Sequence, residues 1–357
     1  MPCRRPFNGA AMLSLLTAVV VCAADASVAV RAVRMGDAPI ITENMLPGQS
    51  GSSINGPSLI RVPAWVKNPL GRYYLYFAHH KGKYIRMAYA DRIEGPWKIL
   101  EGGVQPLEEV RAVSDHIASP EAVVDEASHR IFLFYHGHNP DVRKGGDTES
   151  EDKQRSGGSV SSDGIHFTSL EKPVGPAYLR VFQYGGRCFA LGHEGVLREC
   201  TRLGEPFEPI GRLFGADIKG AVDRMRDLHP AGEAEPPEAN KDRVTRHIGL
   251  DVVGDRLFIY FSCIGHRPER ILCTQVDLRS PPEKWAARGV REVLHPERVW
   301  EGANLPLAYS RGGISRTRVN ELRDPGVFRE DGQAWLVYSV AGEHGLGLAR
   351  LYYGEEK

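Results

Sequence analysis

The 357-residue sequence is short of most features that mark a nucleic-acid, nucleotide or metal protein. Lys and Arg number 45 and Asp and Glu 45, so the formal net charge is zero. Basic residues are scattered, with no run longer than two, which leaves no footprint for a polyanion or an anionic membrane surface. Only six cysteines occur, none in a Cys-x-x-Cys pair, so neither a structural zinc site nor a thioredoxin-like redox motif is supported. There is no Gly-x-Gly-x-x-Gly after a strand, no Walker A loop and no His-Glu-x-x-His, and Ser156-Gly-Gly-Ser159 is not a nucleophile elbow. No cofactor and no metal are therefore expected. Sustained helical periodicity is absent beyond the N-terminal segment. What is present is ordinary globular composition, 42% hydrophobic and 25% charged, with 39 Gly and 24 Pro for many turns.

Near the N-terminus, Arg4 and Arg5 precede an uncharged stretch from Ala10 to Ala24. It is too short to span a bilayer and has the length of a signal-peptide apolar region, and Ala24-Asp25-Ala26 puts small residues at a cleavage site. Residues 1–26 read as a signal peptide, with a lipidated Cys22 or an uncleaved anchor as rivals. Residues 27–357 then form a secreted or periplasmic domain with no membrane attachment. Cys188 and Cys200 flank a turn near His193 and Glu194, so a disulfide or two buried thiols are both open.

The informative signal is repetition. Five aromatic or aliphatic strands, Arg72–Phe77, Arg130–Tyr135, Arg187–Leu191, Arg256–Phe261 and Gln333–Tyr338, each follow a turn cluster such as Val253-Gly-Asp255 or Glu330-Asp-Gly332. Each cluster is preceded by another apolar run, beginning at Pro57, Pro120, Tyr178, His247 and Pro325. Strand, tight turn, strand, then a third strand such as Tyr84–Ala90 describes an antiparallel meander. The period is about 66 residues, longer than the roughly 40 to 50 of familiar propeller repeats, so loops take up the surplus. One insertion, Phe214 to Arg246, contains a polar Pro- and Glu-rich stretch that cannot form core. The expected fold is all-β, a five-bladed β-propeller, with a β-sandwich as the competitor.

In a propeller the starts of the first strands converge on a central funnel, and the ends of the second strands return to it. Those places hold Asn55, Asp115 to Glu121, Tyr178 to Arg180, Arg246-His247 and Arg323-Asp324, then His79-His80, His136, His138, His193-Glu194, His266 and Glu343. Three phrases carry carboxylates: Leu322-Arg323-Asp324-Pro325, Ser114-Asp115-His116 through Glu121, and Trp300-Glu301. An apolar wall such as Trp300 is one way to raise a carboxyl pKa into the general-acid range.

The run Asn55-Gly-Pro-Ser-Leu-Ile-Arg-Val62 with Arg72-Tyr-Tyr-Leu-Tyr76, together with Ala90-Asp91 before Gly95-Pro-Trp97 and Ser161-Ser-Asp-Gly-Ile-His-Phe167, resembles five-bladed glycosidases related to glycoside hydrolase families 43, 32, 68 and 117. The resemblance covers nearly the whole chain after residue 26 and implies the propeller fold. Family 43 members open with a catalytic Asp where this chain has Asn55, and their acid Glu comes from a third-blade strand that here, Pro176 to Arg180, has none. The Arg-Asp-Pro phrase recurs in families 32 and 68 on an earlier blade. Family 117 uses a histidine as acid.

These readings converge on a glycoside hydrolase acting on a poly- or oligosaccharide, with carbohydrate as its partner and no nucleic acid. Asp324 is the expected base, with Glu301, Glu121 or His116 as acid and Asp115 as an orienting group. Asn55, His79, His80, His136, Gln154, Arg155, His247, Arg323 and Glu343 are the expected substrate-binding set. A polysaccharide lyase using His, Tyr and Arg, and a non-catalytic sugar-binding propeller, are the alternatives. If two or more of Arg155, Arg180, Arg246 and Arg323 lack an acidic partner, the funnel should favour an anionic glycan.

Overall fold

The computed structural model describes residues 28–46, 51–142, 153–227 and 245–355. The signal-peptide reading of residues 1–26 and the Pro- and Glu-rich stretch from Pro230 lie outside these residues. The described chain folds into five antiparallel sheets arranged as a five-bladed propeller. Blade 1 runs Asn55–Arg61, Tyr73–Ala78, Tyr84–Ala90 and Lys98–Pro106. Blade 2 is built on Ser114–Asp125, Arg130–His138 and Gln154–Ser161, and two short strands pair with the last of these. Blade 3 comprises Arg180–Tyr184, Arg187–Leu191, Val196–Cys200 and Glu208–Arg212, and blade 4 Ile248–Val253, Arg256–Phe261, Ile271–Asp277 and Arg288–Leu294. Blade 5 takes Leu322–Glu330, Gln333–Val340 and Gly345–Glu355 from the C-terminal end, and its fourth strand, Val28–Arg34, from the other end of the chain. This pairing closes the ring, and the repeat pattern did not foretell it.

The second strands explain why their sequences read as unbroken apolar runs. Each lies between two neighbouring blades and buries both faces, so its period-2 alternation sorts residues between two cores rather than between core and water. In blade 1, Tyr74, Tyr76 and Ala78 pack toward blade 2, while Tyr73, Leu75 and Phe77 pack toward blade 5. In blade 4, Leu257, Ile259 and Phe261 face blade 3, and Phe258 and Tyr260 face blade 5. Five such clusters, one per blade interface, form the core. The insertion after Phe214 opens with a helix, α1 (Ala216–Arg224), whose Ile218 and Val222 join the core between blades 3 and 4. No described helix is long and apolar enough to cross a membrane.

Three innermost strands carry the same irregularity. Register slips by one residue between Asn55 and Ser58, between Ala118 and Glu121, and between Arg323 and Gly326. Each slip contains a left-handed residue followed by proline: Gly56-Pro57 (φ 59°), Ser119-Pro120 (φ 48°) and Asp324-Pro325 (φ 50°). Proline has no N–H to lose from the ladder, so the unpaired position of a bulge suits it. At Gly56 a Cβ would lie 2.8 Å from the Ser119 Cα, and at Gly326 it would lie 2.2 Å from the Pro57 carbonyl oxygen. The inner strands approach that closely around the axis.

Candidate active site

Asp324 sits at the centre of the blade 5 bulge, in a conformation uncommon for a non-glycine residue and of the kind that clusters at functional sites. Its carboxylate is buried and meets His247 at the entrance of blade 4, with Nδ1 to Oδ1 at 2.8 Å. Burial alone would favour the protonated acid. His247 and the nearby guanidinium groups of Arg246 and Arg323 outweigh it and hold the Asp324 carboxyl well below the usual carboxylate range.

Around this pair lies a lattice of buried charge. Arg246 grips Glu269 with two bonds, Nε at 2.8 Å and Nη2 at 2.9 Å. Arg323 donates from Nε to Glu321 at 2.7 Å and from Nη1 to Glu343 at 3.1 Å. Glu343 also accepts from Ser53 Oγ at 2.7 Å and Asn55 Nδ2 at 3.1 Å, and its other oxygen lies 3.3 Å from His80 Nδ1. Burial opposes ionisation of Glu343, but His80 and Arg323 bring its carboxyl down to about 2. Glu321 is pushed up by burial.

The blade 2 and 3 side is different in kind. Tyr178, another left-handed residue (φ 65°), has its ring centroid 4.0 Å from that of His136, 4.9 Å from His193 and 4.7 Å from His247. His116 meets His136 edge-on at 5.8 Å. Burial, and then the Lys81 ammonium, lower His116 to about 4, and burial with neighbouring imidazoles takes His136 well below its ordinary value. His116 and His136 are therefore neutral near pH 7.

The remaining expected residues fall in several places. Glu121 lies two residues past the blade 2 bulge, where burial raises its pKa. It meets Ser58 Oγ at 3.4 Å, Arg180 Nη1 at 3.3 Å and the Val181 N–H at 3.3 Å. Arg180 reaches on to the carbonyls of Pro120 (2.7 Å) and Ile248 (3.0 Å), so the pair bridges blades 1 to 4 as a plug along the axis. Asp115 is exposed, with its carboxylate 3.9 Å from His116 Nδ1. His79 is half-buried against Ser52, and burial lowers its pKa. Gln154 pairs in register with His138, and Arg155 binds Asp141 at 2.5 Å.

Glu301 is away from this cluster. It lies in a 3-10 turn between blades 4 and 5, where it accepts from Arg34 Nε (2.8 Å) and Nη2 (3.0 Å), from the N–H groups of Glu297 and Arg298, and from the Tyr338 hydroxyl. Its acceptor sites are taken up by joining the closing strand to its blade, so the expected acid role has no geometric basis. His266 and His344 also leave the cluster, the latter to bind Glu43 at 2.9 Å. All four arginines considered above have a carboxylate partner, which removes the expectation of an anionic glycan. Tyr178, His193, Arg246, Glu269 and Glu321 belong to the site although the residue set expected from sequence omits them. Tyr178 and Arg246 already stood at blade entrances, whereas Glu269 comes from a loop with no repeat signature. Among the described residues, no three His, Cys, Asp or Glu side chains converge as metal ligands would. No disulfide joins the four described cysteines.

No family model matches the chain. Over 323 residues it is 32% identical to an uncharacterized protein of Acanthamoeba polyphaga mimivirus, covering 84% of this chain and 83% of that one, and the chain belongs to the family of that protein. Among solved structures it is similar to a GH43_1 enzyme from Xanthomonas citri, with a TM-score of 0.53, 12% identity, and 88% and 89% of the two chains covered. A thermostable family-43 glycoside hydrolase matches with a TM-score of 0.54 at 11% identity over 84% of this chain and 89% of that one. A GH43 β-xylosidase/α-arabinofuranosidase from a compost microbial metagenome gives 0.52 at 10% identity over 90% and 94%. At these identities the likeness establishes the fold, and the resemblance to family 43 holds at that level.

Proposed function

We propose that this chain is a glycoside hydrolase acting on a poly- or oligosaccharide at the mouth of the central axis. The observation that carries the proposal is the buried, ionised Asp324 held against His247 by a bulge in the innermost strand. Hydrolysis needs a basic group to activate water and a proton donor across the scissile bond. Asp324 places negative charge 2.8 Å from Nδ1 of His247, which leaves Nε2 of that ring to take a proton from water. Asp324 is thus the positioning half of a dyad rather than a lone base. The structural neighbours include an enzyme bound to xylose and a xylosidase bound to xylotriose, which supports a carbohydrate ligand for this mouth.

The Tyr178 and histidine cluster also suits proton abstraction by a lyase. That chemistry needs a cation to neutralise a uronate, and Arg155, Arg180, Arg246 and Arg323 are each already paired with a carboxylate. Hydrolysis is favoured for this reason. Purified protein should release reducing ends from neutral aryl glycosides or oligosaccharides without forming unsaturated uronates. Asp324→Asn should lower kcat about 10³-fold or more, the scale of losing the acid that fixes a catalytic imidazole. Full activity of Asp324→Asn would sink the dyad. Binding without turnover on a broad glycan panel would leave a sugar-binding propeller.

We also propose export. The apolar run Ala10–Ala24 motivates it, and cleavage after Ala26 would leave the closing strand Val28–Arg34 whole. N-terminal sequencing of protein recovered outside the cytoplasm should read from Ser27, and protein retaining Met1 would refute the cleavage.

A further inference from the structure

Cys188 and Cys200 lie directly opposite each other on the two middle strands of blade 3, paired in register beside Phe189 and Glu199. Residues so opposed in an antiparallel ladder have Cα atoms about 4.5–5.5 Å apart, and disulfides span Cα separations of about 4.4–6.8 Å. Cys188 is half-buried and Cys200 buried, packed at the interface with blade 2. By contrast, Cys273 is fully covered and faces Tyr260 and Arg291 across its ladder. The hairpin between Cys188 and Cys200 carries His193, which meets the Tyr178 ring edge-on, and Glu194, which pairs with Arg198 at 2.9 Å.

We propose that Cys188 and Cys200 form a dithiol–disulfide site that fastens the blade 3 hairpin presenting His193 to the mouth. With a small-molecule disulfide such as oxidised glutathione as oxidant, the Cys188 thiolate attacks one of its sulfurs and expels one glutathione thiolate. The Cys200 thiolate then attacks the Cys188 sulfur of the mixed disulfide and expels the second. The protein loses two protons and two electrons and gains one S–S bond, and the oxidant is reduced to two thiols. The register needs no backbone movement for this step, and oxidation removes chain entropy from the unfolded state.

The test is incubation of the full-length chain with oxidised glutathione, followed by alkylation and peptide mapping by mass spectrometry. The expected product is one peptide pair joined through Cys188 and Cys200, short of two hydrogens, that dithiothreitol reverses. Its melting temperature should rise by a few degrees over the reduced protein, and Cys200→Ser should show no such rise. Phenylarsine oxide, which bridges two close thiols, should protect both cysteines from alkylation in the reduced protein. Recovery of Cys188 only as a glutathione adduct, with Cys200 still alkylatable, would overturn the proposal, as would an equal rise in Cys200→Ser. None of these readouts depends on glycosidase activity.

Discussion

The two sides of the mouth bury polar groups by opposite means. On the side of blades 4 and 5, guanidinium and carboxylate groups interlock, so the charges persist: Arg246 with Glu269, and Arg323 with Glu321 and Glu343. On the side of blades 2 and 3, the His116 and His136 rings lie against each other, and burial keeps both of them neutral instead. A guanidinium cannot lose its proton near neutral pH and must be paired, whereas an imidazole can be desolvated at modest cost by staying neutral. His247 stands on the boundary, touching Tyr178 and Asp324 at once. The difference predicts that the charged side governs stability while the neutral side governs response to mild acid.

The sharpest way to break this contrast is Arg323→Leu, which leaves Glu321 and Glu343 buried without their shared cation. Loss of one partner from a buried ion pair costs about 3–5 kcal/mol, and chemical denaturation should show a fall of that order. His136→Phe on the neutral side should cost under about 1.5 kcal/mol, because an uncharged ring is replaced by another of similar volume. Equal losses would refute the division.

Acid should separate the sides further. His116 has an ordinary pKa of 6.5 lowered to about 4 in the fold. Below pH 6.5 the unfolded chain binds a proton that the folded chain refuses, so stability falls from about pH 6.5 to about pH 4. Glu343 is lowered from 4.5 to about 2, so its contribution is present above pH 4.5 and is lost as pH falls toward 2. His116→Gln should flatten the upper window and Glu343→Gln the lower, each by about 1–3 kcal/mol on the scale of these shifts. A pH–stability curve unchanged in its upper window by His116→Gln would contradict the neutral-imidazole account. The smallest effect belongs to the rim. Arg155→Ala removes a pair with exposed Asp141 and should cost less than about 1 kcal/mol, with KM little changed.

Most of the architecture was legible in the residues. Strands Tyr84–Ala90, Arg187–Leu191 and Arg256–Phe261 match their expected bounds, because apolar runs between Gly- or Asp-bearing turns admit few other readings. Expected first strands began at Pro57, Pro120 and Pro325, where the structure continues each strand backward through a bulge. Helix α1 was missed because nine residues with two core contacts show little periodicity. In the site, the convergence of Asp324, His247, Arg323, Glu343, His80, His116 and His136 follows from their equivalent places in the repeat.

Composition and repeat phrasing by themselves determined an all-β chain, its blade number and the region where chemistry-bearing side chains meet, because strand alternation and turn chemistry are local. Tertiary structure alone decided which charges remain free. Glu301 looked like an acid beside a tryptophan until Arg34, more than 260 residues away, arrived on the closing strand and took both of its oxygens. The arginines looked like anion receptors until Glu269 and Glu321 neutralised two of them. Sequence spacing carries no information about such partners, because Coulomb energy depends on distance in space and on burial, and both are set only when the ring closes.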